Sequence, residues 1–358
     1  MEEKGKEEKE KMKEEHNSFN KDTSCTKPSK RMPLSSWKLV LVLILFFAVY
    51  MMYVALQQYG VFSATSLITV GAVSKAPICH MPAVSHSDAP FFHFPKPITY
   101  NRKECACTPV RYFAILSMQR SGSGWFETLL NSHPNISSNG EIFSVKPRRS
   151  NVTSITRTLN RLYNLDWYSS AAKNECTAAI GLKWMLNQGL LQHHVEIADY
   201  FNQRGVSVIF LFRRNLLRRM VSILANAHDR ALKQLNGTHK AHVHSEAEAA
   251  VLAKFKPTIN TTLLMSELRR ADKMGREALK HFESTRHLLL YYEDLVSNHT
   301  KLMDVLDFLQ LPRKKLSSRH VKIHTKPLAN QVENWGDVYC ALNGTPFESF
   351  VKDDYRRR

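Results

Sequence analysis

The sequence predicts an α/β fold, a central parallel sheet flanked by helices, with a phosphate-binding loop after its first strand. Three observations predict it. Four apolar runs, residues 112–118, 178–184, 206–212 and 287–292, lack polar alternation and read as strands buried on both faces. Helical patterns at residues 124–131, 192–202, 216–235, 261–283 and 295–309 alternate with them, as a sheet covered on both sides requires. The segment 111–125, RYFAILSMQRSGSGW, passes from the first run through a glycine-containing loop into an amphipathic helix. That arrangement aims backbone N–H groups at a phosphate.

Residues 1–38 are polar and rich in Lys and Glu, and are expected to form a disordered cytosolic tail. Residues 39–56, LVLVLILFFAVYMMYVAL, carry no charge and are expected to span a bilayer as one transmembrane helix. An uncleaved signal anchor is expected over a cleaved signal peptide. A long polar stretch comes first, and no small-x-small cleavage site directly follows. Lys27, Lys30, Arg31 and Lys38 precede the span, and the next charge after it is Lys75. By the positive-inside rule the N-terminus is then cytosolic and the body lumenal, a single-pass type II protein of the Golgi membrane.

Six N-x-Ser/Thr sequons, at Asn135, Asn151, Asn236, Asn260, Asn298 and Asn343, all follow the span. So do Cys79, Cys105, Cys107, Cys176 and Cys340, for which one or two disulfides with one thiol left over are expected, in a pairing left open. Residues 57–108 contain repeated prolines and no long periodic element, and read as a stem. Residues 109–358 are then the globular body, long enough for one α/β domain.

The chain has a net charge of +18, and about +16 remains once the first 38 residues, with 10 basic and 8 acidic side chains, are set aside. This balance suits an anionic cofactor and an anionic acceptor. Nucleic acid is excluded by the expected compartment and by the lack of a basic-aromatic RNA motif. The His-rich stretch 239–248 reads as a polar surface loop and not as a metal site. In sheets of this class ligands bind beyond the carboxyl ends of the strands, which is where Arg120 falls.

The loop lacks the Gly-Lys-Ser/Thr of a nucleotide triphosphatase, and its basic residue comes before the glycines. Arg120, Ser121, Gly122, Ser123, Gly124 and Trp125 resemble the 5′-phosphosulfate loop of the sulfotransferases, a basic residue followed by Ser-Gly-Thr-Thr-Trp, with Gly124 in place of the second hydroxyl residue. Arg214-Asn215, with Ser222 on the following helix, resembles that family's 3′-phosphate site. LYYEDL at 290–295 and FLQLP at 308–312 resemble its next strand and helix. PLANQVENW at 327–335 and the stretch 129–141 resemble the carbohydrate sulfotransferases related to the rhizobial nodulation enzyme, and their plant relatives. The resemblance covers residues 111–348, with the motifs in the family's order.

It implies a P-loop-type sheet, 3′-phosphoadenosine-5′-phosphosulfate (PAPS) as co-substrate, and no metal. It implies that Arg120 stabilises the leaving phosphate, by charge alone because an arginine does not act as an acid. The loop from Ser121 to Trp125, with the Ser123 hydroxyl, would hold the 5′-phosphate, and Arg214 and Ser222 the 3′-phosphate. Gly124 forgoes one hydroxyl contact, about 1 kcal/mol. Trp125 either stacks on adenine or is a helix-face core residue.

For the base, the family's Lys-Thr-His reads Lys183-Trp184-Met185 here, so the histidine is missing. Several Golgi relatives use a glutamate about 20 residues past the loop cation, and Glu141 stands 21 residues past Arg120. His193, His194, or a purely structural Glu141 are the alternatives. Lys183 is a second cation near the sulfonate or a solvated strand-end charge. The expected activity is in-line sulfuryl transfer to a hydroxyl of a carbohydrate. The alternative is a non-catalytic lumenal binding or scaffold protein. A glycosyltransferase is disfavoured, since no Asp-x-Asp motif is present. The acceptor's identity and the oligomeric state stay open.

Overall fold

The structure is a computed structural model that describes residues 34–58, 86–173 and 176–352. The expected tail over residues 1–33, the stem over residues 59–85 and Cys79 lie outside the described residues. The chain divides into two units, Met1–Ser74 and Lys75–Arg358.

In the first unit runs α1 (Leu34–Gln58). Among the described residues no helix is long and apolar enough to cross a membrane. The expected transmembrane helix, signal anchor, type II topology and Golgi membrane location are therefore corrected, because the structure does not support them.

In chain order the second unit runs β1 (Arg111–Ser117), α2 (Ser123–Asn131), β2 (Ile136–Ser138), α3 (Val152–Tyr163), β3 (Ala179–Met185) and α4 (His194–Gln203). It continues through β4 (Val206–Phe212), α5 (Leu216–Leu232), α6 (Glu246–Leu252), α7 (Thr261–His281), β5 (His287–Tyr291), α8 (Tyr292–Ser297), α9 (Lys301–Phe308), α10 (Trp335–Leu342) and α11 (Ser349–Lys352). The strands form one parallel sheet in the order β2-β3-β1-β4-β5. The expected parallel α/β sheet is present.

β1 shows why its run is apolar throughout. Ala114 aligns with Leu182 on one side and Val208 on the other, so the strand has neighbours along both edges. Its side chains alternate between two cores, as a period of two requires. Tyr112, Ala114 and Leu116 face the core built with α3, α4, α5 and α7. Phe113 and Ile115 face the core built with α2, α8 and α9. Burying each of these large apolar side chains stabilises the fold by about 1.5–3 kcal/mol.

The chain crosses from β1 to one side of the sheet through α2 and β2, and reaches the other side at β4. The loop after β1 thus sits at the switch point, between the ends of β3 and β4, where an open sheet leaves a crevice.

Several elements differ from the sequence expectation, three of them instructively. α3 has no counterpart among the expected helices. Its apolar face is only Ile155, Leu159, Leu162 and Tyr163, set among Thr, Ser and Asn, and its start is fixed by Asn151 accepting from the Ser154 amide at 2.8 Å. The helix expected over 295–309 is two helices, α8 and α9. Asn298 is extended, and its side-chain oxygen accepts from the Thr300 amide (2.9 Å) and hydroxyl (2.7 Å), which competes with helical bonding. Residues 86–108, read as stem, pack on the sheet domain: His93 stacks on Tyr112 at 3.9 Å, and Asp166 accepts from the amides of Ile98 and Thr99. Cys105 pairs with Cys176, Cys107 is also disulfide-bonded, and Cys340 is a free, exposed thiol.

Candidate active site

A cavity of about 580 Å³ opens at the carboxyl end of the central strands. Of the residues singled out from sequence, Arg120, Gly122, Ser123, Gly124, Trp125, Glu141, Lys183 and Ser222 line it. Ser121 is fully buried behind the loop, its hydroxyl without a hydrogen-bond partner among the described residues. Arg214 is not brought to the cavity. It is half-exposed and makes a bidentate pair with Asp294 at 2.8 and 2.9 Å, over the Tyr291 ring. The neighbouring Arg213 lines the cavity instead, buried, 3.8 Å from Glu293 and 5.2 Å over Tyr292. Because successive residues leaving a strand point to opposite sides, one of the pair faces inward and the other outward.

The loop is held in an unusual conformation. Arg120 has φ 65 and Gly122 φ 83. The left-handed region costs an ordinary residue about 1–2 kcal/mol, so contacts must hold Arg120 there. Arg219 Nε donates to the Gln119 carbonyl (2.9 Å), Ser121 N to Met118 O (3.3 Å), and Arg213 Nη1 to the Arg120 carbonyl (3.4 Å). At Gly122 a Cβ would overlap the Tyr292 ring, within 2.6 Å of Cε2. Only glycine tolerates both the dihedral and this approach. α2 then begins, with its first amides at the cavity edge.

The Arg120 guanidinium donates to Ser222 Oγ on α5 (2.9 Å) and to the Ala241 carbonyl (2.9 Å). Burial, and then the charge of Arg213, lower its pKa to about 10, which still leaves it cationic at neutral pH. Lys183 is not a solvated strand end. It is buried, 3.1 Å from Glu127 and 3.5 Å from Glu141. Glu127 in turn accepts from Ser138 Oγ and the Gly140 amide, both at 2.8 Å, and Glu141 accepts from Gln188 Nε2 at 3.1 Å. One cation thus ties together α2, β3 and the turn that carries Glu141.

His193 and His194 do not line the cavity; His194 bonds the Leu191 carbonyl and packs against the His281 ring at a tilt of 35°. Trp125 both lines the cavity and packs, edge to face with Tyr292 at 5.7 Å.

Several cavity residues escaped the sequence reading. The stretch 239–248 is not simply a surface loop. His242 lines the cavity, Val243 is fully buried, and Val243 pairs with Val321. Leu235, Val243, Ala249 and Leu252 form a small core with Val321 and Ile323. This brings His320, Lys322 and His324 to the cavity. Burial, followed by the charges of Arg120, Arg213, Arg218 and Lys322, lowers the His324 pKa to about 4, so the ring is neutral. The alternation of charged and β-branched residues in HVKIH was a legible strand-like signal. Nothing local marked His242. Among the described residues no group of three or more His, Cys, Asp or Glu side chains is arranged to hold a metal ion.

Fold and site define the class: an α/β domain with a phosphate-type loop at the carboxyl end of its central strand. The chain belongs to the sulfotransferase family, a PAPS-dependent class of enzymes, since residues 111–328, more than half of its length, match the family described as "Sulfotransferase domain". It is therefore an enzyme and not a non-catalytic scaffold. It is similar to nodulation protein H of Rhizobium meliloti, 26% identical over 252 residues, which cover 68% of this chain and 96% of that protein. Nodulation protein H of Rhizobium tropici is 27% identical over 258 residues, covering 68% and 93%. Among solved structures, a sulfotransferase from Alicyclobacillus acidocaldarius aligns with 12% identity and a TM-score of 0.35, covering 67% of this chain and 95% of that one.

Proposed function

We propose that this sulfotransferase transfers the sulfuryl group of PAPS to a hydroxyl of a carbohydrate by in-line displacement. The observation that carries the reading is the convergence, around one cavity, of the loop 120–125, Ser222 from α5, and the Lys183–Glu141 pair. The first two suit the phosphates of the donor; the third suits proton removal. The carbohydrate acceptor is supported by the resemblance of residues 129–141 and 327–335 to the nodulation-type enzymes.

In this reading the acceptor oxygen attacks sulfur as the bond from sulfur to the bridging oxygen of the 5′-phosphate breaks. Adenosine 3′,5′-bisphosphate leaves. Glu141 takes the proton of the acceptor hydroxyl, with Lys183 and Gln188 fixing its carboxylate. Arg120 supplies fixed positive charge beside the leaving phosphate, and the amides at the start of α2 hold that phosphate. Arg213 and Ser222 supply cation and hydroxyl for the 3′-phosphate, a role for which Arg214 was the expected cation. Most of the acceleration then comes from positioning and preorganised charge.

The test is transfer of labelled sulfate from PAPS to a panel of desulfated glycans, with Arg120→Ala and Ser222→Ala as controls. Wild-type transfer that falls at least tenfold in both variants is expected. Undiminished transfer in both would overturn the residue assignments, and transfer to no glycan would overturn the acceptor class.

A further inference from the structure

We propose that His242 is a donor-binding residue of this site, hydrogen-bonding the 5′-phosphate of PAPS from the space that Gly124 leaves open; the inference rests on the donor reading above.

Gly124 lies in the first turn of α2. Unlike Gly122 it has no left-handed backbone to explain it. Glycine inside a helix costs about 1 kcal/mol relative to alanine, so space must be its reason. A Cβ at Gly124 would overlap the His242 imidazole, 2.5 Å from Cε1. The glycine and the histidine, far apart in sequence, share one volume.

His242 is not a loose loop side chain. On its N-terminal side the Ala241 carbonyl accepts from Arg120 (2.9 Å). On its C-terminal side Val243 is fully buried, and its carbonyl accepts from the Val321 amide (2.9 Å). The ring stacks on His320, with centroids 4.7 Å apart and planes within 14°. The imidazole is thus clamped from three directions over the first turn of α2, with the cavity in front of it.

Its ring nitrogens make no hydrogen bond or ion pair to a described residue. Glu141, by contrast, is committed to Lys183 and Gln188. His242 is therefore a polar side chain near the phosphate loop with bonding capacity to spare. Burial, then His320, Lys183, Arg120 and His244, hold its pKa down at about 3. At neutral pH the ring is neutral and keeps one N–H to donate, without adding repulsion to the cations beside it.

The test is calorimetric binding of two ligands, adenosine 3′,5′-bisphosphate and adenosine 3′-phosphate, which lacks the 5′ group. His242→Ala is expected to weaken the bisphosphate about 10–100-fold, the range of one hydrogen bond to a charged acceptor, and the monophosphate less than about threefold on that scale. His242→Gln, whose amide reaches the same position, should recover most of the loss. Gly124→Ala should lose a similar factor by displacing the ring, and adding Gly124→Ala to His242→Ala should cost nothing further. Should His242→Ala lower the melting midpoint, His242→Gln and Gly124→Ala carry the same comparison. Equal losses for both ligands, or none, overturn the role of His242 while leaving the donor reading intact. Failure of the wild-type protein to bind the bisphosphate overturns the donor reading itself.

Discussion

Replacing Glu141 by glutamine separates catalysis from structure at this site. Loss of a positioned general base lowers kcat by about 10²–10⁴-fold. The structural cost is small, for reasons visible in the geometry. Lys183 lies nearer Glu127, at 3.1 Å, than Glu141, at 3.5 Å, so it keeps a partner. The Glu141 side chain is 36% exposed, so its share of the ion pair is screened by water, and such pairs contribute about 0–1 kcal/mol. The amide oxygen of the substituted residue still accepts from Gln188 Nε2. Lys183→Met is the contrasting lesion. It leaves Glu127, only 9% exposed, without a counter-charge. Breaking a buried pair in this way costs about 3–5 kcal/mol, or about 10 °C of melting temperature in a domain of this size. The assay is the initial rate at saturating labelled PAPS beside a thermal unfolding curve for each variant. Glu141→Gln should be nearly inactive and melt with the wild type, and Lys183→Met should melt early. A Glu141→Gln enzyme that keeps more than a third of its kcat refutes the base. One that melts as early as Lys183→Met shows that Glu141 is structural.

Further outcomes concern the two arginines after β4 and the disulfide. Arg213→Ala should weaken binding of adenosine 3′,5′-bisphosphate at least tenfold, since Arg213 lines the cavity. Arg214→Ala should change it less than about threefold and cost at most about 1 kcal/mol of stability, the range for a surface pair such as Arg214–Asp294; a larger loss of affinity on Arg214→Ala would show that this side chain leaves Asp294 for the ligand. Cys105→Ser opens a loop of 71 residues closed by the pair with Cys176. Loop-closure entropy puts the expected loss near 4 kcal/mol, checked by denaturant unfolding, and a change below about 1 kcal/mol would place the constraint elsewhere.

What the sequence made legible was whatever lies within one strand-loop-helix unit. The β4 run VSVIFLF matches its strand end to end, because an unbroken apolar run bounded by Gly205 and Arg213 admits little else. The loop 120–125 was legible because its chemistry and its backbone demands sit in consecutive residues. The inward cation after β4 was not, since Arg213 and Arg214 are chemically identical and only the facing carboxylates decide between them: Asp294 takes Arg214, and Glu293 lies beside Arg213. α3 was missed because its four buried apolar residues are diluted by Thr, Ser and Asn. The long apolar segment was over-read, since an uncharged run alone does not establish a spanning helix.

The loop glycines show how such limits arise. Gly122 is explained locally by φ 83, and a turn-forming glycine is what a reader of sequence expects. Gly124, two residues on, looks like a defect in the same loop, a hydroxyl lost and a helix weakened. Its explanation lies more than a hundred residues away, in a stretch that reads as polar surface because three histidines and a lysine dominate it. Val243 is the one apolar residue there that reverses the reading. Once it pairs with Val321 and buries itself with Leu235 and Leu252, the residue before it must face the opposite way, toward the cavity. The departure at position 124 and the unexpected histidine at 242 are then one structural fact. A substitution at either position is predicted to act through the other, which is why the double variant is more informative than either single one.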